Sequence, residues 1–394
     1  MTPLSILVLF AIGCAPTTEW VREKHPQRDV LIVEYSVISD ANPPMRHGPY
    51  RTFFPDGSLR AEGQYDRGAR QGRWTSYYPD GQVRKVSVYH AGKDHGEWFA
   101  YRNDGQLRWK RSFSEGYKRG EWTYYHANGN LQKTENYIDG VLHGPSQTYN
   151  SAGQLAIAEH YHKGKIEGLR YLYRPSGQLL RQESYATAIK EGPWIWYDEH
   201  SAAIAAGAYR AGYPWSGRFV DTYIDGTLKL AYGFVDSLRH GRWSYFGPQG
   251  QPLRDEFYSA GLRDSLWAGY YGNGQIAYEE SYRRGAKHGL WISRYPSGQI
   301  SYQGRYESDR KTGAWLSYFA SGAVRSQAHY KDGVLHGAFT SYFEHGPLRL
   351  RKNMISGQLE GNWELYDQDG RVVDRDVWKR GRCSAECEGD ELIP

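Results

Sequence analysis

A glycine returns every 24 residues along almost the whole chain, and this period limits the folds that the chain can adopt. The series of anchor positions is Gly48, Gly72, Gly96, Gly120, Gly144, Gly168, Gly192, Gly217, Gly241, Ser265, Gly289, Gly313, Gly337 and Gly361. One inserted residue before Gly217 shifts the frame once, and Ser265 is the single anchor that is not glycine. A fixed period of this length is typical of arrays in which each repeat is one supersecondary unit packed against its neighbours.

Aromatic residues and further glycines keep the same step. The ring two residues after the anchor recurs as Trp74, Trp98, Trp122, Trp194, Trp243, Trp267, Trp291, Trp315 and Trp363, with Tyr50, Phe219 and Phe339 as variants. A second glycine follows nine residues after the anchor, often in a pair such as Asp80-Gly81, which is a strong hairpin signal. Another ring follows 17 residues after the anchor, as in Tyr89. No helical period is present, so each repeat is predicted to be a β-hairpin.

The turn pairs also predict which residues face one another. With a two-residue turn at Asp104-Gly105, Gly96 lies opposite Phe113, and by the same count Gly120 lies opposite Tyr137. An aromatic ring opposite a strand glycine can fold over it and compensate for the missing side chain. We therefore expect the late ring of each repeat to cover its anchor glycine.

This pattern resembles the MORN repeat in its bacterial variant form, sometimes described as YwqK-type antitoxin-like. The matching residues are a Gly-x-Trp-x-x-Tyr-Tyr-x-x-Gly-Gln-Leu core, as in Gly72–Val83, and a Tyr-x-x-Gly-x-x-x-Gly tail, as in Tyr89–Gly96. The resemblance extends from Gly48 to about Gly381. It implies an all-β fold, an elongated, solenoid-like antiparallel sheet of about 14 consecutive 24-residue β-hairpins.

The sequence predicts five segments: a signal peptide at 1–13, a lipid-anchored tether at 14–29, a capping strand and loop at 30–47, the repeat array at 48–382 and a C-terminal tail at 383–394. The capping strand is expected at Val30–Val37. An irregular region is expected near 186–216, because Ser201 and Ala188 replace glycines of the pattern and one extra residue precedes Gly217.

The N-terminal residues predict export. The apolar run Pro3–Gly13 suits the core of a signal peptide and leads into Ala11-Ile12-Gly13-Cys14, which resembles the lipobox of bacterial lipoproteins. That resemblance implies lipidation of Cys14 and, with Ala15 next, an outer-membrane lipoprotein of the bacterial cell envelope, periplasmic or surface-exposed. No Lys or Arg precedes the run, unlike a usual signal peptide. The alternatives are a frayed apolar terminus or a misassigned start.

Cys383 and Cys387 remain after the last repeat. In an exported protein a disulfide closing this short loop is the favoured reading, and a two-cysteine metal half-site is the weaker one.

Composition and motifs argue against catalysis and nucleic-acid binding. The chain has 49 Lys and Arg against 44 Asp and Glu, without basic blocks, so a nucleic-acid partner is not expected. No nucleotide-binding, hydrolase or metalloprotease motif is present, and carboxylate pairs such as Glu279-Glu280 fit solvated strand faces. We expect no enzyme activity, no catalytic residues and no cofactor.

Six histidines directly precede an anchor: His47, His95, His143, His240, His288 and His336. Neighbours in this series are four strands apart, roughly 19 Å at sheet spacing, so they cannot share a metal ion. Each is predicted to cap its turn; a pH-responsive stripe is the alternative.

Taken together, these features predict a non-enzymatic envelope lipoprotein that serves as a repeat scaffold for protein–protein interaction. The aromatic residues that could serve packing or binding are Trp74, Trp98, Trp122, Trp243, Trp267, Trp291, Trp315 and Trp363. One alternative is a module that binds a membrane surface or a glycan through these rings. Another is the antitoxin of a toxin–antitoxin pair.

Overall fold

A computed structural model describes residues 17–24 and 30–383, and all regular secondary structure in these residues is β-strand. The chain divides into two compact units, residues 1–191 with 197–202 and residues 192–196 with 203–394. Within each unit, antiparallel hairpins follow one another in chain order. The predicted all-β fold of consecutive 24-residue hairpins is therefore confirmed.

The first unit contains a hairpin, β1–β2, and then six repeat hairpins. Its strands are β1 Thr18–Lys24, β2 Leu31–Ile38, β3 Met45–Phe53, β4 Leu59–Asp66, β5 Ala69–Tyr77, β6 Val83–His90, β7 Lys93–Tyr101, β8 Leu107–Ser114, β9 Tyr117–Lys118, β10 Gly120–Tyr125, β11 Leu131–Ile138, β12 Val141–Leu142, β13 Gly144–Tyr149, β14 Leu155–His162, β15 Lys165–Ile166, β16 Gly168–Tyr173, β17 Leu179–Ala186 and β18 Ile189–Lys190.

The second unit contains eight repeat hairpins. Its strands are β19 Gly192–Tyr197 (Tyr197 itself counts with the first unit), β20 Ala203–Arg210, β21 Tyr213–Thr222, β22 Leu228–Val235, β23 Leu238–Arg239, β24 Gly241–Phe246, β25 Pro252–Ser259, β26 Leu262–Arg263, β27 Ser265–Tyr270, β28 Ile276–Arg283, β29 Ala286–Arg294, β30 Ile300–Glu307, β31 Arg310–Tyr318, β32 Val324–Lys331, β33 Val334–Tyr342, β34 Leu348–Ile355, β35 Gln358–Leu359, β36 Gly361–Tyr366, β37 Val372–Lys379 and β38 Arg382–Cys383.

The hairpin loop is one residue longer than the sequence suggested. Between β5 and β6, the Tyr78 amide donates to the Gln82 carbonyl at 2.8 Å and the Gly81 amide donates to the Tyr78 carbonyl at 2.9 Å. This leaves a three-residue loop that ends on Gly81 with φ 88°, a conformation that glycine adopts without strain. A register shift between Ser76 and Tyr77 offsets the extra residue.

The predicted facing residues are confirmed, but the reason for the anchor glycine is different. Gly96 pairs with Phe113 and Gly120 pairs with Tyr137. However, a Cβ added at Gly120 would meet nothing within 4 Å, so the expectation that the late ring covers the anchor is wrong there. Instead the Gly96 backbone has φ 65° and lies where β7 shifts its pairing with β6. The anchor is glycine because this bulge needs a left-handed backbone.

The capping strand predicted at Val30–Val37 is present as β2, with Val37 and Ile38 buried. The predicted tether 14–29 includes a strand that sequence reasoning missed, because β1 pairs with β2 over its whole length. Its charged residues resemble a linker, yet Thr18, Trp20 and Val21 have high strand propensity, and the outer edge of β2 offers unpaired backbone groups.

The irregularity expected near 186–216 is narrower than predicted. Ala188 and Ser201 adopt φ 67° and 65°, so both turns keep the left-handed conformation of the glycines they replace. The extra residue is Trp215, which bulges between the pairs Ala208–Ser216 and Tyr209–Pro214.

Candidate functional site: the two faces of the repeat hairpins

The ring two residues after each anchor forms the buried side of the repeats. Six of the eight candidate tryptophans are only 2–8 % exposed: Trp74, Trp98, Trp122, Trp243, Trp267 and Trp315. Trp291 and Trp363 are half-buried. The Trp122 ring centroid lies 5.2 Å from that of Phe113 in the preceding repeat and 4.9 Å from that of Tyr137 in its own. These aromatic residues pack against each other from one repeat to the next.

Each indole also makes a fixed hydrogen bond to a backbone carbonyl ten residues earlier. Trp122 Nε1 donates to the Ser112 carbonyl at 2.9 Å, and Trp98 Nε1 donates to the Val88 carbonyl at 2.9 Å. The same bond joins Trp74 to Gln64, Trp243 to Gly233, Trp267 to Phe257 and Trp291 to Ser281. The acceptor lies beside the bulge that the anchor glycine creates. Tryptophan therefore satisfies a polar group there that phenylalanine would leave without this bond.

Cationic side chains cover the aromatic row. Two residues before the anchor, the Lys118 ammonium lies 4.7 Å from the ring centroids of both Trp122 and Tyr137. The same position is occupied over its own rings by Arg46, Arg70, Arg239, Arg263, Lys287 and Lys311. Such contacts stabilise by about 0.5–2 kcal/mol each. They also lie over the rings that a stacking ligand would need.

The repeat at Gly96 solves the same problem with a different residue. Asp94 stands where the cation is expected, and the Lys85 ammonium on the neighbouring strand lies 4.2 Å from the Trp98 ring centroid. Burial lowers the pKa of Lys85 and raises the pKa of Asp94, since it disfavours the charged form of each.

The late tyrosines bind carboxylates on their own strand. The Tyr282 hydroxyl donates to Glu280 at 2.9 Å. The same pairing joins Tyr137 to Glu135, Tyr161 to Glu159, Tyr185 to Glu183, Tyr258 to Glu256 and Tyr366 to Glu364. Burial and then the hydrogen bond to Glu280 raise the pKa of Tyr282 to about 12, because both disfavour a phenolate.

These tyrosines predict a loss of stability in alkali. An unfolded tyrosine ionises near pH 10, so the raised folded pKa contributes stability that is present below about pH 10 and is lost as pH rises towards 12. We expect the free energy of unfolding to fall over this interval and Glu280→Gln to lower the pKa of Tyr282. Denaturant melts from pH 8 to 12, with phenolate absorbance, measure both quantities. Identical phenolate titrations for the wild type and Glu280→Gln would contradict the assignment.

The aromatic row is interrupted in the first unit, where Ser146 and Arg170 replace tryptophan. Arg170 Nε lies 3.0 Å from Glu159 and its Nη1 lies 3.4 Å from Glu183, whose side chain is only 1 % exposed. A buried ion network therefore takes the place of stacked rings in these two repeats. Removing one partner of such a network leaves an uncompensated buried charge, which is costly. The break in the tryptophan series was its signal in the sequence.

The opposite face is more open. Five residues after the anchor, the Tyr77 hydroxyl donates to Glu62 at 2.7 Å, and the Tyr270 hydroxyl donates to Asp255 at 2.9 Å. In the first unit a shallow groove on this face is lined by Arg51, Glu62, Gln64, Arg73, Thr75 and Tyr77. It presents charged and hydrogen-bonding groups to solvent.

The predicted capping role of histidine is confirmed for three residues, although the capped turn belongs to the following repeat. His143 Nδ1 accepts from the Lys163 amide at 3.5 Å. His47 accepts likewise from Arg67, and His336 from Ser356. Other repeats use an oxygen at this position, as Glu167 accepts from the Thr187 amide at 2.6 Å. The histidines are thus one of several residue types that serve as caps.

Two of the three predicted covalent sites cannot be located. Cys14 and Cys387 lie outside the described residues. Cys383 is disulfide-bonded, and its pairing with Cys387 stays a prediction.

Within residues 17–24 and 30–383, no group of three or more His, Cys, Asp or Glu side chains is placed to hold a metal ion. No helix long and apolar enough to span a membrane occurs in the same part of the chain.

Comparison with solved structures gives only distant likenesses. A crystal structure of TcdB2-TccC3 is 13% identical, with 93% of this chain and 24% of that chain covered and a TM-score of 0.18. The Photorhabdus luminescens Tc holotoxin pore is 14% identical, with 93% and 23% covered and a TM-score of 0.16. The chain spans about a quarter of the length of these proteins. No curated protein sequence matches it.

The sequence profile of the family described as "MORN repeat variant" matches six segments: residues 46–67, 70–91, 118–139, 263–284, 287–308 and 311–332. Each segment begins one to two residues before an anchor glycine and ends near the following turn. The matched segments fall in both units and coincide with the hairpins, so the chain belongs to the MORN repeat family.

Proposed function

We propose that this protein is a non-enzymatic repeat scaffold that binds a protein partner at the cell envelope. The observation that carries the proposal is the contrast between the two faces of the hairpins. Tryptophan, late tyrosine and cation recur at the same positions and are used in packing. The opposite face changes from repeat to repeat and is available to a partner.

The variation is clearest one residue after the anchor, where the side chain lies on the face opposite the tryptophan. This position holds Pro49, Arg73, Glu97, Glu121, Pro145, Leu169, Pro193, Arg218, Arg242, Leu266, Leu290, Ala314, Ala338 and Asn362. A polysaccharide or a layer of lipid headgroups presents the same chemistry at every repeat, whereas a folded protein does not. A surface without chemical repetition therefore favours a protein partner over the glycan and membrane alternatives.

Location at the envelope is the second part of the proposal, and the lipobox-like residues Ala11–Cys14 support it. Two acyl chains on one cysteine hold a protein stably at a membrane, where a single chain binds only reversibly. An anchored scaffold would meet its partner at that surface, and this argues against the antitoxin alternative, which needs a cytosolic toxin.

A crosslinking pull-down from native envelopes tests both parts. The tagged wild type should partition into detergent and retain a partner, and Cys14→Ser should move protein and partner into the aqueous phase. Arg73→Glu with Leu169→Asp changes the variable face, where Leu169 is 40% exposed, and should remove the partner.

Val141→Asp is the matched control, since Val141 is 45% exposed but lies at the turn between hairpins. Equal capture by the wild type, the face variant and the control would overturn the assignment of the binding face. Aqueous partitioning of the wild type with an unmodified Met1 would overturn the anchor.

A further inference from the structure

Positive charge is concentrated in the first three repeats. Residues 46–119 contain 15 Lys and Arg against 8 Asp and Glu, a formal charge of +7, which exceeds the +5 of the whole chain. All of them lie in the first unit. A local excess of this kind attracts an acidic partner and orients it before contact.

A cavity of about 330 Å³ lies within this basic region. It is lined by Arg102, Arg108, Trp109, Arg111, Tyr124, Tyr125 and Gln132. Three guanidinium groups and three aromatic rings thus surround one opening, and none of its lining residues is acidic. Arg111 occupies the position 15 residues after the anchor, where several later repeats carry glutamate, as at Glu135.

Two of the arginines have hydrogen-bonding capacity that the protein does not use. Arg102 Nη2 donates to the Tyr125 carbonyl at 2.8 Å, but its Nε is buried without a hydrogen-bond partner. Arg111 Nε is likewise buried without a hydrogen-bond partner. The Arg111 guanidinium carbon lies 4.2 Å from the Trp109 ring centroid and 5.4 Å from that of Tyr124. Ring contacts hold this group in place while its N–H groups remain available.

The carboxylates nearest in sequence and structure are engaged elsewhere. Glu135 accepts from Tyr124 at 3.4 Å and Tyr137 at 2.8 Å and pairs with Lys133 at 2.5 Å. Asp104 accepts from the Gln106 amide in its own turn at 2.9 Å. The positive charge of the cavity is therefore not balanced by a carboxylate in its lining.

We propose that this cavity docks a glutamate- or aspartate-rich segment of a partner protein. A carboxylate presents two acceptors in the plane that a guanidinium fork requires, and the aromatic walls accommodate the aliphatic part of the segment. The inference deepens the proposed scaffold function and depends on it. It also assigns a task to repeats that are otherwise built like their neighbours.

Fluorescence anisotropy with a labelled decaglutamate peptide tests the site. Arg108 is exposed, so Arg108→Glu should leave the thermal melt unchanged and weaken peptide binding by roughly tenfold or more, the scale of removing a charged hydrogen-bonding partner. Arg325→Glu is the matched control: it makes the same charge change at the same repeat position, where Phe319 and Ala328 replace Arg102 and Arg111. It should change binding by less than about twofold.

Equal weakening by both variants would mean a general charge effect and would overturn the site. Tighter binding of a labelled ten-residue thymidine oligonucleotide, lost in Arg108→Glu, would reassign the cavity to nucleic acid and overturn the proposal. A partner that envelope pull-downs retain equally on the wild type and Arg108→Glu would leave the scaffold function standing and remove this docking site.

Discussion

Deleting the 24 residues Gly241–Asp264 should leave a folded, shorter protein. The deletion joins His240 to Ser265, so Trp267 takes the place of Trp243 against Tyr232 and Phe234, whose ring centroids lie 5.0 and 5.5 Å from that of Trp243. Arg239, now 4.5 Å from the Trp243 centroid, would cover Trp267. Every interaction lost at the new junction is replaced by its equivalent, so the free energy of unfolding should fall only by the share of one repeat.

Deleting the 12 residues Leu253–Asp264 should instead unfold at least the second unit. This removes β26 and almost all of β25, which are the returning half of one hairpin. Strands β24 and β27 would follow each other directly although they run in the same direction, and the antiparallel ladder could not continue. The shorter deletion is therefore expected to be far more damaging than the longer one.

Circular dichroism and denaturant melts of the two deletions decide the matter. The 24-residue deletion should keep a cooperative β-sheet transition with a smaller denaturant slope, because less surface is exposed on unfolding. Similar loss of structure in both variants would contradict the repeat architecture.

The sequence predicted the hairpins well because their determinants are local. Asp80-Gly81 specifies a turn, and glycine at a fixed step marks where each strand bends. The facing of Gly96 and Phe113 followed from simple counting, although the loop is one residue longer, because a register shift beside it cancels the difference. Strand direction and pairing order then follow from short connections.

Contacts between repeats were harder to predict because they depend on register across 10 or 20 residues. The Trp122 bond to the Ser112 carbonyl and the His143 bond to the Lys163 amide join positions that no local pattern links. The cation over each ring was visible as a recurring Lys or Arg before the anchor. Its meaning required knowing that the anchor bulge brings that side chain back over the tryptophan. The cavity at Arg111 depends on a single departure from the repeat, which a search for repetition discards.

Replacing one buried tryptophan should cost a large part of the stability of its repeats. Trp122 is 4% exposed, contacts Phe113 and Tyr137, and donates its indole hydrogen to Ser112. Trp122→Ala should lower the free energy of unfolding by roughly 3–5 kcal/mol, since it removes a ring and leaves a cavity. Trp122→Phe keeps a ring but loses the indole bond and part of the volume, so its cost should be smaller, with about 1 kcal/mol from the bond.

Trp20→Ala is the matched control, because Trp20 also lies in a strand but is 53% exposed. Its free energy of unfolding should stay within about 0.5 kcal/mol of the wild type. Guanidinium melts of the three variants give these differences, and the pull-down on the same proteins shows whether a ring also contacts the partner. A Trp122→Ala protein with unchanged stability and no captured partner would show that the ring binds rather than packs. Our assignment of the aromatic row to packing requires the opposite result, a destabilised protein in which the alanine and phenylalanine variants lose stability in the order of the contacts removed.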